Sequence, residues 1–356
     1  MSPEKAALIL EDGTTFEGKP FGAVGKASGL TVFYTGVVGY QELLTNPSYR
    51  GMLAVLTYPI IGSYGVNAKD NESPAIHAAG LIIREYSRTY SNFRATGALE
   101  DLMKKEGLVG IREVDTRAVA VHLRERGEMR GTIASGKFDA RKIAAALAKA
   151  PAEPPADLVR EVTWAGRRTP AGKPKRRVAV LNLGVKESLL AQLAAMGCAV
   201  EILKGDAGPA NVVAAKPKAV ILAGGPGDPT AAGYAVETAR ALLDKVPMFG
   251  IGLGLQVLAL ALGCRTRRMK TGHRGVNYPV RDLAGGKAAI TIQHHSYVVD
   301  SDGLPGDVEI THTNLNDGTV EGIRCREVAA AGVQFHPAPD DMGQPSHVLR
   351  GFLDRA

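Results

Sequence analysis

Residues 246–263 read VPMFGIGLGLQVLALALG. An apolar strand around Met248–Ile251 runs into a turn flanked by Gly250 and Gly254 and leaves as the apolar helix that begins near Leu253. This is the layout of a nucleophile elbow: small flanking residues let the chain bend, and the apex side chain stands above the sheet. The helix start presents unpaired N–H groups and the positive end of its dipole, which favours an anion there. A plain glycine turn between strand and helix is the other reading. The spacing is not G-x-G-x-x-G, and the strand comes late in its unit, so a dinucleotide fingerprint is excluded. Val246 to Cys264 is 19 residues without a charge, long enough to cross a bilayer. Pro247, Gln256 and Gly250, Gly252, Gly254 and Gly263 break it into strand, turn and buried helix. The apex itself, position 252, is Gly, which has no atom to attack a carbonyl.

Upstream and downstream the pattern is α/β. RVAVLNLG (177–184) reads as a buried strand, and Lys186–Met196 as a helix with Leu189, Leu190, Leu193 and Met196 on one face. Ala199–Leu203 and Lys218–Leu222 are further strands, and Tyr234–Leu243 is a helix. Strands alternating with helices imply a parallel, doubly wound sheet, whose ligands bind beyond the carboxyl ends of the strands. The loop Ala223–Pro229, AGGPGDP, could offer backbone N–H groups to an oxyanion or carboxylate, or be an ordinary turn. In GVQFHPA (332–338), Pro337 holds His336 extended, as a general base or as a structural histidine. After Met269 shorter strands and loops are expected, then a closing helix over 348–354. His294 and His295 have no carboxylate nearby at metal-ligand spacing, so no metal is assigned. Cys198, Cys264 and Cys325 form neither a disulfide framework nor a metal motif. Cys264 lies a helix away from the apex, Cys198 in a strand-turn segment and Cys325 in a surface-like turn.

Residues 1–150 read as an α+β domain with a sheet core. ALILEDGTTFEGKPFG suggests a hairpin turning at Asp12-Gly13, with strands near 30–35, 53–58 and 81–85. Helices are expected over 98–106 and 116–126, the second with Val119 and Leu123 inward and Val121 a further candidate. Pro151–Arg176, rich in Pro and Gly, reads as a linker, and the α/β domain follows over 177–356. The chain has 356 residues and a formal charge of +7. Seven basic residues lie between Arg160 and Arg177 against one acid, Glu161, so the charge is local to the linker and does not form a nucleic-acid face. Trp164 is expected to dock on a neighbouring surface. The N-terminus lacks a basic region followed by a long apolar core, so a cytoplasmic protein without a membrane anchor is expected.

Taken together the motifs resemble the small, glutamine amidotransferase subunit family of carbamoyl-phosphate synthetases. GGPGDP (224–229), GIGLGLQ (250–256) and VQFHPA (333–338) match the class I amidotransferase pattern. GYQELLTNPSY (39–49), LTYPIIGSYG (56–65), SNFR (91–94) and VDTRAVAVHLRERG (114–127) match features special to that subunit. The resemblance implies an N-terminal small-subunit domain followed by a flavodoxin-like, doubly wound mixed sheet. It also implies glutamine hydrolysis by a Cys-His-Glu triad, with ammonia passing to a large subunit that makes carbamoyl phosphate from bicarbonate and ATP for pyrimidine and arginine biosynthesis.

Carried over by motif, the Cys position is Gly252, the His position is His336 and the Glu position is Ala338. Ser48, Gly225, Gly227, Leu253 and Gln256 match glutamine-binding positions. The family's Q-N-H-G-F segment appears as Gln293-His294-His295-Ser296-Tyr297, which alters the binding positions His294, Ser296 and Tyr297. Leu255 replaces the elbow histidine, and Lys270–Val280 also departs from the family pattern. The expectation is a subunit that has lost glutamine hydrolysis and supports a large subunit using free ammonia. No cofactor is expected in this chain, ATP and Mg2+ belonging to the large subunit; glutamine is a candidate ligand. The alternatives are a stand-alone regulator that binds glutamine or a similar ligand, and a repurposed enzyme built on His336, His295, Ser296 or Asp340.

Overall fold

The computed structural model describes residues 5–149, 156–340 and 342–356. The chain forms two compact units, Met1–Pro154 with Lys270–Arg274, and Pro155–Met269 with Gly275–Ala356.

The first unit contains β1 (Ala6–Leu10), β2 (Thr15–Gly22), β3 (Lys26–Tyr34), α1 (Tyr40–Thr45), β4 (Met52–Leu56), β5 (Ile60–Ile61), β6 (Gly80–Ile82) and β7 (Glu85–Tyr86). It continues with α2 (Leu99–Lys105), β8 (Val109–Arg112), α3 (Thr116–Arg126), β9 (Met129–Ser135) and α4 (Ala140–Lys149). The expected sheet core is a closed barrel in the order β1-β2-β8-β6-β4-β3-β9. The β1–β2 hairpin turns at Asp12-Gly13: Gly13 has φ +88°, and the Thr14 N–H donates to Asp12 Oδ1 at 3.0 Å. Asp115 caps α3 by accepting from the Ala118 N–H at 3.0 Å, and Gly127 with φ +99° ends it. Val119 and Leu123 are buried, but Val121 is 45% exposed. Residues 119 and 123 share a face one turn apart, whereas 121 lies far round the helix from both.

A buried ion pair also belongs to this unit. Arg274 and Glu128 side chains are 1% and 2% exposed and pair directly. The Glu128 carboxylate also accepts the Gly272 N–H at 2.8 Å, and the Arg274 carbonyl accepts the Thr35 N–H at 3.0 Å.

The second unit runs α5 (Val159–Val162), β10 (Gly166–Arg168), β11 (Arg176–Gly184), α6 (Glu187–Ala195), β12 (Cys198–Lys204), α7 (Pro209–Ala214), β13 (Ala219–Gly224), α8 (Gly233–Leu242), β14 (Met248–Ile251) and α9 (Leu253–Ala261). Then come β15 (Thr266–Asp282), β16 (Ala288–Val299), β17 (Val308–Asn314), β18 (Val320–Cys325), β19 (Ala330–Val333) and α10 (His347–Leu353). The ten-stranded mixed sheet is ordered β10-β12-β11-β13-β14-β19-β18-β17-β15-β16. Its core, β12-β11-β13-β14-β19, is parallel. Alternation along β11 sends Val178 and Val180 to one apolar layer, with Leu189, Leu190 and Leu193 of α6. Ala179, Leu181 and Leu183 go to the other, with α8 and α9. Helices on both faces explain why the strands read as continuous apolar runs.

Several expectations are corrected. The region after Met269 is not made of shorter strands and loops alone: β17, β18 and β19 have 7, 6 and 4 residues, but β15 has 17 and β16 has 12. β15 is interrupted by Gly272, Gly275 and Asn277, which read locally as loops. Cys325 is not on a surface turn but buried at the end of β18, where its thiol reaches Asp307 at 3.0 Å. Within the expected 151–176 linker, residues 151–155 lie outside the described residues, while α5 and β10 belong to the second unit. Four of the clustered arginines there meet carboxylates: Arg160 with Asp157 and Asp206, Arg167 with Glu201, Arg168 with Glu187, and Arg176 with Asp354. Trp164 remains 38% exposed. Among the described residues no helix is long and apolar enough to cross a membrane.

Candidate functional site

Gly252 sits between β14 and α9 with φ 59° and ψ −120°, a backbone conformation that residues with a side chain rarely adopt. Its N–H donates to the Val333 carbonyl at 3.0 Å, tying the apex to the end of β19. Its carbonyl accepts the Leu255 and Gln256 N–H groups at 3.0 and 3.3 Å, which starts α9. The three elbow glycines differ in why they are small. A Cβ on Gly250 would lie 2.5 Å from Leu255 Cα, and one on Gly254 only 2.0 Å from the Leu222 carbonyl oxygen. A Cβ on Gly252 would meet nothing nearer than the Gln334 carbonyl oxygen at 3.8 Å. The flanking glycines are therefore demanded by packing, while the apex has room for a side chain and bears none.

The Gly224–Gly227 loop lies at the carboxyl end of β13, with φ +63°, +123° and +87° at Gly224, Gly225 and Gly227. Gly225 is doubly constrained, since an added Cβ would lie 2.5 Å from Leu253 Cδ2 and 2.6 Å from the Leu183 oxygen. Gly227 is open, with 3.7 Å to its nearest neighbour. Leu253 is buried on the first turn of α9. Gln256, one turn along, donates through Nε2 to the Tyr297 carbonyl at 2.7 Å and to Gln334 Oε1 at 3.1 Å. Gln256 Oε1 and Gln334 Nε2 are buried without a hydrogen-bond partner among the described residues.

His336 follows β19, and its main-chain N–H donates to the Ile292 carbonyl at 2.9 Å. Its Nε2 lies 3.1 Å from Ser188 Oγ. One turn along α6, Gln192 Nε2 donates to the Pro337 carbonyl at 2.8 Å, and Gln192 Oε1 accepts the Ser346 N–H at 3.0 Å. Two side chains of one helix face thus grip successive residues, 336 and 337. Sequence reading missed both. The available signal was the four-residue spacing of two polar groups, Ser188 and Gln192, in a helix that is apolar elsewhere after Glu187. Ala338 is half-buried and carries no titratable group.

His294, Ser296 and Tyr297 all lie on β16, Ser296 buried and the other two half-buried. His295 Nε2 lies 2.9 Å from Gln293 Oε1, and Gln293 Nε2 donates to Glu321 Oε2 at 2.8 Å. Glu321 also accepts from Asn314 Nδ2 at 2.8 Å. A carboxylate is therefore near His295 after all, brought by β18 from a position remote in sequence. Ser48 belongs to the first unit, in a short turn where its N–H donates to Asn46 Oδ1 at 3.0 Å. Among the cysteines, burial pushes the Cys264 thiol up to about 11 and raises Cys198 and Cys325 too. Each is held as an inert thiol, the reverse of an activated nucleophile.

Residues 8–133 match the family model described as carbamoyl-phosphate synthase small chain, CPSase domain, and residues 179–355 match glutamine amidotransferase class-I. The carbamoyl phosphate synthase small chain of Chlorobaculum tepidum is 42% identical over 349 residues, covering 97% of this chain and 95% of that protein. The small chain of Syntrophotalea carbinolica is 42% identical, covering 94% and 92% respectively. That of Thermus thermophilus is 42% identical, covering 99% and 93%.

Proposed function

The chain belongs to the carbamoyl phosphate synthase small-chain family, and on that premise we propose that it serves a large synthetase subunit without hydrolysing glutamine itself. The large subunit would bind ATP and Mg2+ in the cytoplasm and use free ammonia to make carbamoyl phosphate. One observation carries the reading: the apex that should lift a nucleophile over the sheet is Gly252, in the elbow conformation and with space around it. The other losses are consistent with it. With no thiol at the apex, an imidazole at 336 has no proton to take from position 252, and Ala338 offers no carboxylate to orient the ring. Removing the nucleophile alone abolishes most of the rate, and further losses add little. No buried cysteine can stand in, because burial raises all three thiols.

The test has two arms. Purified chain incubated with glutamine should release no ammonia above a buffer control, and saturable, titratable release would overturn the reading. Expressed with a large synthetase chain, it should co-purify and leave ammonia-dependent synthesis running; a chain that never associates would count against the subunit role. A glutamine-binding regulator is the second reading, favoured by the buried Gln256 Oε1 and Gln334 Nε2, which have no partner among the described residues. Tight calorimetric binding of glutamine, with neither turnover nor a synthetase partner, would select it.

A further inference from the structure

We propose that Ser188 and His336 form a serine–histidine acyl-transfer site that accepts small activated esters. A hydroxyl and an imidazole within hydrogen-bond reach, here 3.1 Å, are the minimal pairing for an activated nucleophile. They come from positions far apart in the chain, and both lie where ligands of such sheets bind, beyond the carboxyl ends of β11 and β19. Both residues are half-buried. The base is held in place: the His336 N–H bonds to Ile292, and the Pro337 carbonyl is fixed by Gln192, itself bonded to Ser346. Ser188 stands in the first turn of the nine-residue α6, whose amino-terminal field favours a developing oxyanion.

The chemistry balances without a co-reactant other than water. Ser188 Oγ attacks the ester carbon as its proton passes to His336 Nε2, and the carbonyl π pair moves onto oxygen. Collapse breaks the ester C–O bond, and the leaving alkoxide takes the proton from His336. Water then attacks the acyl-serine, gives its proton to His336, and Oγ leaves and regains it. Ester plus water becomes acid plus alcohol. With Ala338 where an orienting carboxylate would stand, turnover should be slow and acylation the step more readily seen.

The test uses the full chain with a fluorophosphonate probe, read by intact mass and peptide mapping, and with 4-nitrophenyl acetate for turnover. A single adduct on Ser188 is expected. It should vanish in Ser188→Ala and slow by on the order of 10²-fold in His336→Gln. No adduct at Ser188, or an adduct rate unchanged in His336→Gln, overturns the proposal. Thermal melts check that both variants fold. If Ser188→Ala does not, Ser188→Cys carries the test: its alkylation by iodoacetamide must be slowed by adding His336→Gln, and equal rates refute the pairing. Neither glutamine nor a large subunit is present in these assays, so their outcome is independent of the subunit role.

Discussion

At position 252 the backbone and the side chain give separate information. The positive φ and the open space preserve an elbow, and only the reacting group is missing. Gly252→Cys should therefore fold, losing about 1–3 kcal/mol to backbone strain, measurable by denaturant melting. Gly254→Ala should lose about 3 kcal/mol or more, since its Cβ would overlap the Leu222 carbonyl. If the two cost the same, the apex is not open. Gly252→Cys combined with Ala338→Glu should hydrolyse glutamine faster than Gly252→Cys alone, by on the order of 10²-fold; continued inactivity would place the remaining fault at Leu255, His294 and Ser296. In the first unit, burial, aided by the charge of Arg50, holds His77 down to about 4, against 6.5 for the free group. Its Nδ1 has no hydrogen-bond partner among the described residues. As pH falls through 6.5 the unfolded chain takes up a proton that the folded one refuses, so stability declines and levels off near 4. Denaturant melts of the wild type and His77→Gln at pH 7 and 4.5 should show a shallower decline in the variant.

At the scale of elements, α6 links the sheet to the candidate site. Its apolar face packs through Leu189, Leu190 and Leu193, and its polar spacing places Ser188 and Gln192 on residues 336 and 337. Gln192→Ala removes a buried donor and acceptor together, leaving the Pro337 carbonyl and the Ser346 N–H unsatisfied. A loss of about 1–3 kcal/mol is expected in thermal or denaturant melting, with a changed His336 side-chain NMR signal. An unchanged signal would mean that α6 does not position the histidine. The 3.6-residue apolar period of α6 was legible in the sequence, as was the glycine punctuation of the elbow. What the polar residues of that helix touch was not, because helical spacing places them on a face without saying what lies opposite.

On the scale of the whole molecule, the Lys270–Arg274 segment belongs with the barrel unit although it lies far downstream in the chain. Arg274→Met in the full chain would leave the Glu128 carboxylate buried without its partner. The variant should be less stable than the wild type by about 3–5 kcal/mol, and adding Glu128→Gln should recover part of the loss by removing the stranded charge. Equal stability by denaturant melting would show that the pair contributes nothing. The clustered arginines of 160–176 make a different case. Exposed pairs like these contribute about 0–1 kcal/mol each, so their partners account for local neutrality more than for stability.

Local pattern was sufficient for the alternation of strand and helix, the parallel core of the sheet, the elbow, and the absence of a nucleophile at its apex. Each is written within a few neighbouring residues, through periodicity, glycine placement or the chemistry of one side chain. Closure of the barrel, the length of β15 and β16, the meeting of Ser188 with His336 and the Glu321 carboxylate near His295 were decided only by the folded chain. Those features join residues tens to hundreds of positions apart, and their pairing is set by strand register and close packing, which no local window of sequence contains.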